Sequence, residues 1–214
     1  MYDDHPDASA NARVIVLAGP SGSGKSRLSR RIGLPVLNLD DFYKDGSDPS
    51  LPRIGMGHDS IVDWDDPASW HHEDALAAIE SLCRDGKADV PIYDIAHDGR
   101  VGHRVLDLDG SSYFLAEGIF AQEVVRECQD RGLLAEAICV RNHRWLTFWR
   151  RLTRDLRERR KHPLVLVRRG LMLLRAEPVV IAHAVALGCT PMTSEEAYRH
   201  VRRLLAGGGQ AGTG

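Results

Sequence analysis

The first ordered pattern in the chain is RVIVLAG at residues 13–19, an unbroken β-branched apolar run that ends in glycine. Runs of this kind mark parallel strands covered on both faces. Lys25 to Ile32 then reads as a helix and PVLNLD (35–40) as the next strand. Asp66-Pro67 is placed as N-cap and first helical residue of a helix through ASWHHEDALAAIESLCRD, which Gly86 closes. DVPIYDIAHDGRVGHRVLDLD reads as two strands folded about Asp98-Gly99, a common hairpin signal. SSYFLAEG (111–118) is another buried strand, QEVVRECQDRG a helix, and AEAICVR (135–141) a further strand. The pattern is helical from about Arg144 to Lys161, where Pro163 breaks it. Residues 164–190 are expected to pack as helices, and Thr193-Ser194-Glu195-Glu196 is a capping box for a last helix running to about Leu205.

Alternation of apolar strands with helices predicts an α/β fold with a parallel sheet flanked by helices. The 214 residues suit one such domain, placed at 13–206, with a hairpin insertion at about 88–109 and a helical segment at about 144–162. Residues 1–12 and 207–214 read as flexible tails. A formal charge of −2 argues against general affinity for nucleic acid or membrane. Cys83, Cys128, Cys139 and Cys189 show no C-x-x-C pairing or metal-ligand rhythm, so reduced buried thiols are expected. The acidic, polar start is unlike a signal peptide, and Arg168, Arg169, Arg175, Glu177 and Pro178 break up the apolar stretch 164–188. A soluble, cytoplasmic protein is the expectation.

Gly19-Pro20-Ser21-Gly22-Ser23-Gly24-Lys25-Ser26 fills every fixed position of G-x-x-x-x-G-K-[ST]. Its glycines let successive N–H groups turn inward around phosphate oxygens, and the helix that follows adds its positive end. Lys25 is predicted to reach the β- and γ-phosphates, and the Ser26 hydroxyl to ligate Mg²⁺. The strand before and the helix after supply the context that this P-loop signature requires. Asp40 and Glu117 each end an apolar strand, where ligands bind in open parallel sheets. Either could serve the metal or, for Asp40, take a proton from an attacking hydroxyl; the alternative for Asp40-Asp41 is a helix cap or a solvated loop edge.

LDDFYKD, VDWDDPASW, VPIYDIAHDGR, FLAEGIF and RRLTRDLRERRK occur in the order seen in uridine–cytidine kinases, whose wider group includes phosphoribulokinase and bacterial pantothenate kinases. The chain resembles that family over roughly residues 13–161. The resemblance implies a P-loop NTPase-type sheet with a β-hairpin substrate flap and a helical lid. It puts the catalytic base on Asp40, a substrate-lining aromatic on Tyr43, a ribose-binding acid on Asp65, and base recognition on Tyr93 and His97. Asp41 stands where the family often has a small hydroxyl residue. His97 arrives one residue earlier than the usual spacing, which turns a strand side chain to the other face unless a bulge or turn absorbs it. A surface histidine beside Asp98-Gly99 is the alternative.

Arg150, Arg154 and Arg157 share one helical face by spacing, with Arg151 and Asp155 beside them. The segment reads as a solvated helix, a nucleic-acid contact that the near-neutral charge argues against, or a lid over the phosphates. The resemblance favours the lid, with ribose contact on Arg151 and phosphate contact on Arg154 and Arg159. Arg160-Lys161 stands where the family commonly has Gly-Arg, and Lys lacks the bidentate grip of Arg.

The expected activity is transfer of the γ-phosphate of ATP, or another nucleoside triphosphate, with Mg²⁺ held by Ser26, Asp40 and Glu117, onto the 5′-hydroxyl of a pyrimidine nucleoside. The alternatives are the same chemistry on pantothenate or a sugar phosphate, and a regulatory nucleotide-binding ATPase. Homo-oligomerisation is left open, with 164–190 the expected place for a subunit contact.

Overall fold

The computed structural model describes residues 12–55, 60–141 and 178–208. The arginine-rich segment, with Arg151, Arg154 and Arg159, lies outside the described residues.

Five strands form one parallel sheet in the order β2 (Val36–Asn38), β7 (Tyr113–Glu117), β1 (Arg13–Ala18), β8 (Leu134–Val140) and β9 (Thr190–Met192). Alternation in β1 explains why it sits at the centre. Val14 and Val16 join the apolar cluster on one face, with α2 (His72–Asp85) and the residues around α3 (Val125–Asp130). Ile15 and Leu17 join the other, with α1 (Lys25–Ile32) and α5 (Ser194–Gly208). Val14 through Ala18 are all fully buried, as a strand covered on both faces must be. A further helical segment, α4, spans residues 178–186. The architecture is α/β, a parallel sheet flanked by helices.

Between β2 and β7 the chain leaves the sheet for a long excursion. It contains the short pair β3 (Arg53–Ile54) and β4 (Ile61–Val62), then α2, then the antiparallel hairpin β5 (Lys87–Asp94) and β6 (Gly99–Asp107). The base of the hairpin packs into the core through Ala88, Val90 and Leu106.

Several boundaries differ from the sequence expectation, each for a local reason. β2 stops at Asn38, and Leu39–Phe42 form a one-turn 3-10 helix that the Asn38 side chain caps at the Asp40 N–H. Asp66 does cap, accepting from the Ala68 N–H at 2.8 Å, but it opens only a 3-10 turn at Pro67–Ser69. The indole of Trp70 is buried and donates to the Leu39 carbonyl at 2.7 Å, which holds Trp70 in extended backbone and delays α2 to His72. Residues 121–124 are likewise a 3-10 turn ahead of α3. The capping box forms as expected: Thr193 N–H donates to Glu196 Oε2 at 2.8 Å and Glu196 N–H to Thr193 Oγ1 at 3.3 Å. The helix it starts continues to Gly208, past Leu205. The sequence reading has no counterpart to β9, three residues including Pro191, which an edge strand tolerates.

All four cysteines are buried thiols. Burial pushes Cys83 up to about 11 and Cys128 and Cys189 up to about 12, so they are poor nucleophiles near neutral pH. No helix among the described residues is long and apolar enough to cross a membrane.

Candidate active site

β1 delivers the chain into the loop 19–26, where Gly19, Gly22 and Gly24 adopt left-handed φ values of 131°, 82° and 95°. At Gly19 a Cβ would also stand 2.5 Å from the Val140 carbonyl oxygen, so both torsion and space demand glycine. Lys25 opens α1 and lies back over the loop, donating to the Gly19 carbonyl at 2.7 Å and the Pro20 carbonyl at 3.4 Å.

Glu117 ends β7, and Asp40 lies in the 3-10 turn just past the adjacent β2. β2 and β7 pair with Asn38 opposite Glu117, and Asp40 follows two residues after Asn38. Asn38 Oδ1 accepts the Asp40 N–H at 3.3 Å, and Asp40 Oδ1 accepts the Ile119 N–H at 2.9 Å. From α1, Ser29 donates its hydroxyl to Glu117 Oε2 at 2.5 Å. Gly24, Lys25, Ser26, Asn38, Asp40 and Glu117 thus line one cleft of about 230 Å³. Burial raises the Asp40 carboxyl above its ordinary value; the Ile119 N–H and the Lys25 ammonium oppose this, and the Glu117 carboxylate adds to it. The result is a carboxylate more basic than a solvated one, with a neighbouring cation that still favours ionisation.

The cleft fits a triphosphate with Mg²⁺. Ser21, Gly22, Gly24 and Lys25 line it on the loop side, and Mg²⁺ in such sites takes one or two carboxylates, a hydroxyl, phosphate oxygens and water. Ser26, Asp40 and Glu117 offer that donor set. The described residues contain no three-member cluster of His, Cys, Asp or Glu suited to a metal.

Beyond Asp40, towards the hairpin, lies an aromatic group. The Tyr43 ring stands 5.7 Å from Trp64, 5.8 Å from Phe120 and 5.9 Å from Tyr93, centroid to centroid. Its hydroxyl donates to the Trp64 carbonyl at 3.0 Å, which fixes the segment carrying Asp65. Burial, with the charges of Asp40 and Asp65 nearby, raises the Tyr43 hydroxyl far above its ordinary value, so it stays protonated as a donor. Asp65 is exposed, its own N–H bonded to Asp63 Oδ1 at 3.2 Å. Asp41 faces a different set; burial raises it, while Asn38 and Arg104 act the other way.

The described contacts do not bring His97 into this group. The ladder shifts register between Ile92 and Tyr93 and a 3-10 turn follows at Ile95–His97, and neither returns the imidazole to the site. His97 ends at the exposed tip, its Nδ1 2.7 Å from Asp94 Oδ2. Sequence reasoning missed Asn38, Ser29, Gly118 and the Ile119 amide. Ser29 carried a usable signal, since it lies one turn beyond Lys25 and Ser26 on the buried side of α1.

Against known proteins, the model of the phosphoribulokinase / uridine kinase family matches residues 14–165, well over half of the chain. The chain belongs to this family. The uridine kinase of Deinococcus deserti is 33% identical over 172 residues, covering 76% of this chain and 77% of that protein. A protein of Arabidopsis thaliana named inorganic pyrophosphatase TTM1 is 35% identical over 114 residues, covering 50% of this chain but 16% of its own length. Among solved structures, a Silicibacter protein provisionally assigned as a fructose transport system kinase aligns with a TM-score of 0.59 at 17% identity. That alignment covers 85% of this chain and 88% of the other, and it shows a shared fold. As a family member the chain is a P-loop small-molecule kinase, a phosphotransferase with an alcohol acceptor, and the family implies ATP as donor.

Proposed function

We propose that this kinase phosphorylates the 5′-hydroxyl of a pyrimidine nucleoside, uridine or cytidine. The observation that carries the reading is the position of Asp40, between the phosphate cleft and the aromatic group of Tyr43, Trp64 and Tyr93. A kinase must hold an alcohol in line with the terminal phosphoryl group, and a carboxylate at that boundary reaches both.

In this reading the loop amides, Lys25 and Ser26 hold the donor phosphates; the phosphate contacts expected of Arg154 and Arg159 fall outside the described residues. Mg²⁺, when bound, would supply positive charge to offset that developing on the phosphate oxygens. Asp40 Oδ1 is held by the Ile119 N–H, and the carboxylate accepts the proton of the acceptor hydroxyl. The acceptor oxygen then bonds to the γ-phosphorus while the bond to the β–γ bridging oxygen breaks, releasing ADP. Glu117, oriented by the Ser29 hydroxyl, would hold the metal. Asp65 and Arg151 bind the sugar, since one carboxylate can accept from both vicinal hydroxyls. Tyr43 and Tyr93 wall the base.

The exposed position of His97 favours a second reading, the same chemistry on pantothenate or a sugar phosphate, because the residue assigned to the base edge faces outward. The separating experiment is phosphoryl transfer from ATP and Mg²⁺ to uridine, cytidine, pantothenate and sugar phosphates in parallel. Preference for the two nucleosides supports the first reading. A better non-nucleoside acceptor replaces it, and ATP consumption that no acceptor stimulates points to a regulatory ATPase.

A further inference from the structure

Two residues beyond Tyr43 the chain meets the hairpin tip. Asp45 Oδ1 accepts the backbone N–H of Arg100 at 2.7 Å, and the Gly46 N–H donates to the Asp98 carbonyl at 2.6 Å. The two bonds run in opposite directions across one short contact, so neither segment can slide without losing both. Both sides are stripped to glycine where they touch. A Cβ on Gly46 would lie 3.0 Å from Asp98 Cβ, and one on Gly99 3.0 Å from Asp45 Oδ1. Asp98 takes a left-handed φ of 46° to present its carbonyl here. The same residue that gives its amide to Asp45 sends its guanidinium to α2, with Arg100 Nη2 3.2 Å from Asp74 Oδ2.

The hairpin needs such a tie. Its base is buried against α2, but its outer half carries exposed Ile92, Ile95 and Val101 and has little apolar anchorage. Tyr93 stands in that outer half, its ring packed on Tyr43.

We infer that Asp45 is a positioning residue for acceptor binding: with Gly46 it latches the hairpin tip and so fixes Tyr93 over Tyr43 before substrate arrives. The inference rests on the acceptor site proposed above. Asp45 touches neither the phosphate cleft nor Asp40 in the described contacts, so its effect is on acceptor capture. A hairpin already in place spares the ordering cost that a loose one would add on binding.

The test is Asp45→Ala beside Asp45→Asn, which keeps an accepting oxygen. Asp45→Ala should raise the acceptor KM by about tenfold, the scale of one lost hydrogen bond to a charged group, with kcat at saturation and the KM for ATP near wild type. Asp45→Asn should restore most of the loss. Hydrogen exchange, which needs no turnover, should show faster exchange at the Gly46 and Arg100 amides in Asp45→Ala. An unchanged acceptor KM alongside faster exchange overturns the role in capture, and unchanged exchange overturns the latch itself. Wild-type protein that phosphorylates no acceptor sinks the proposed function, and the latch is then judged on exchange alone.

Discussion

Gly118 lies so close to Asp40 that a Cβ there would stand 2.9 Å from Asp40 Oδ1 and 2.9 Å from Leu39 Cβ. The carboxylate cannot swing aside cheaply, because the neighbouring Ile119 N–H holds the same oxygen. Gly118→Ala should therefore displace Asp40 by a few tenths of an ångström or more. The expected outcome is a fall in kcat/KM of about 100-fold with ATP affinity nearly unchanged, measured by steady-state kinetics and nucleotide titration.

Asp40→Asn should lower kcat by about 10²–10⁴, the usual range for a general base, while ATP still binds. Its effect on stability should be opposite in sign. The folded-state value of Asp40 is raised, so the folded protein binds the proton more tightly than the unfolded chain does. Stability at this site is then lost as pH rises from the ordinary value of 3.8 through the raised one. Asp40→Asn should accordingly melt higher than wild type at neutral pH, with the difference shrinking at and below about pH 4. The acid limb of wild-type kcat/KM should sit above the ordinary aspartate range.

Ser29→Ala removes the hydroxyl that meets Glu117 Oε2 at 2.5 Å. If Glu117 serves Mg²⁺, the metal concentration for half-maximal activity should rise by about 10- to 100-fold, with acceptor KM at saturating metal little changed. A titration with MgCl₂ at fixed ATP reads this directly.

Trp70→Phe deletes the indole donor to the carbonyl of Leu39, the first residue of the 3-10 turn, and thins the packing there. The expected loss is about 1–3 kcal/mol of unfolding free energy, seen in chemical denaturation. Because the same turn carries Asp40, kcat should fall as well.

The central strands and the phosphate loop were legible because their signals are local. RVIVLAG needs no partner to read as a buried strand, and the glycine spacing at 19–26 implies its own geometry. Asp40 and Glu117 were legible too, since residues that end apolar strands fall on one edge of the sheet. What escaped depends on contacts between distant segments. The start of α2 was misplaced because the Trp70–Leu39 bond spans 31 positions, and no local propensity encodes it. Ser29 and Gly118 matter only through partners brought by other elements. The three residues of β9 lean on β8 for their conformation, and propensity alone would not choose it.

β2 and β7 lie side by side, yet the chain takes everything from Tyr43 to Ser112 to pass from one to the other. Tyr43, Asp65, Tyr93 and the latch all sit in that detour, while the loop and α1 precede it. The outer half of the hairpin and the β3–β4 pair stand clear of the sheet, whereas α2 and Trp70 within the same detour belong to its core and hold the turn that follows β2. A graft for a new alcohol would therefore keep α2 and Trp70 as the fixed frame and vary the segments that stand on it, around Tyr43, Asp65 and Tyr93.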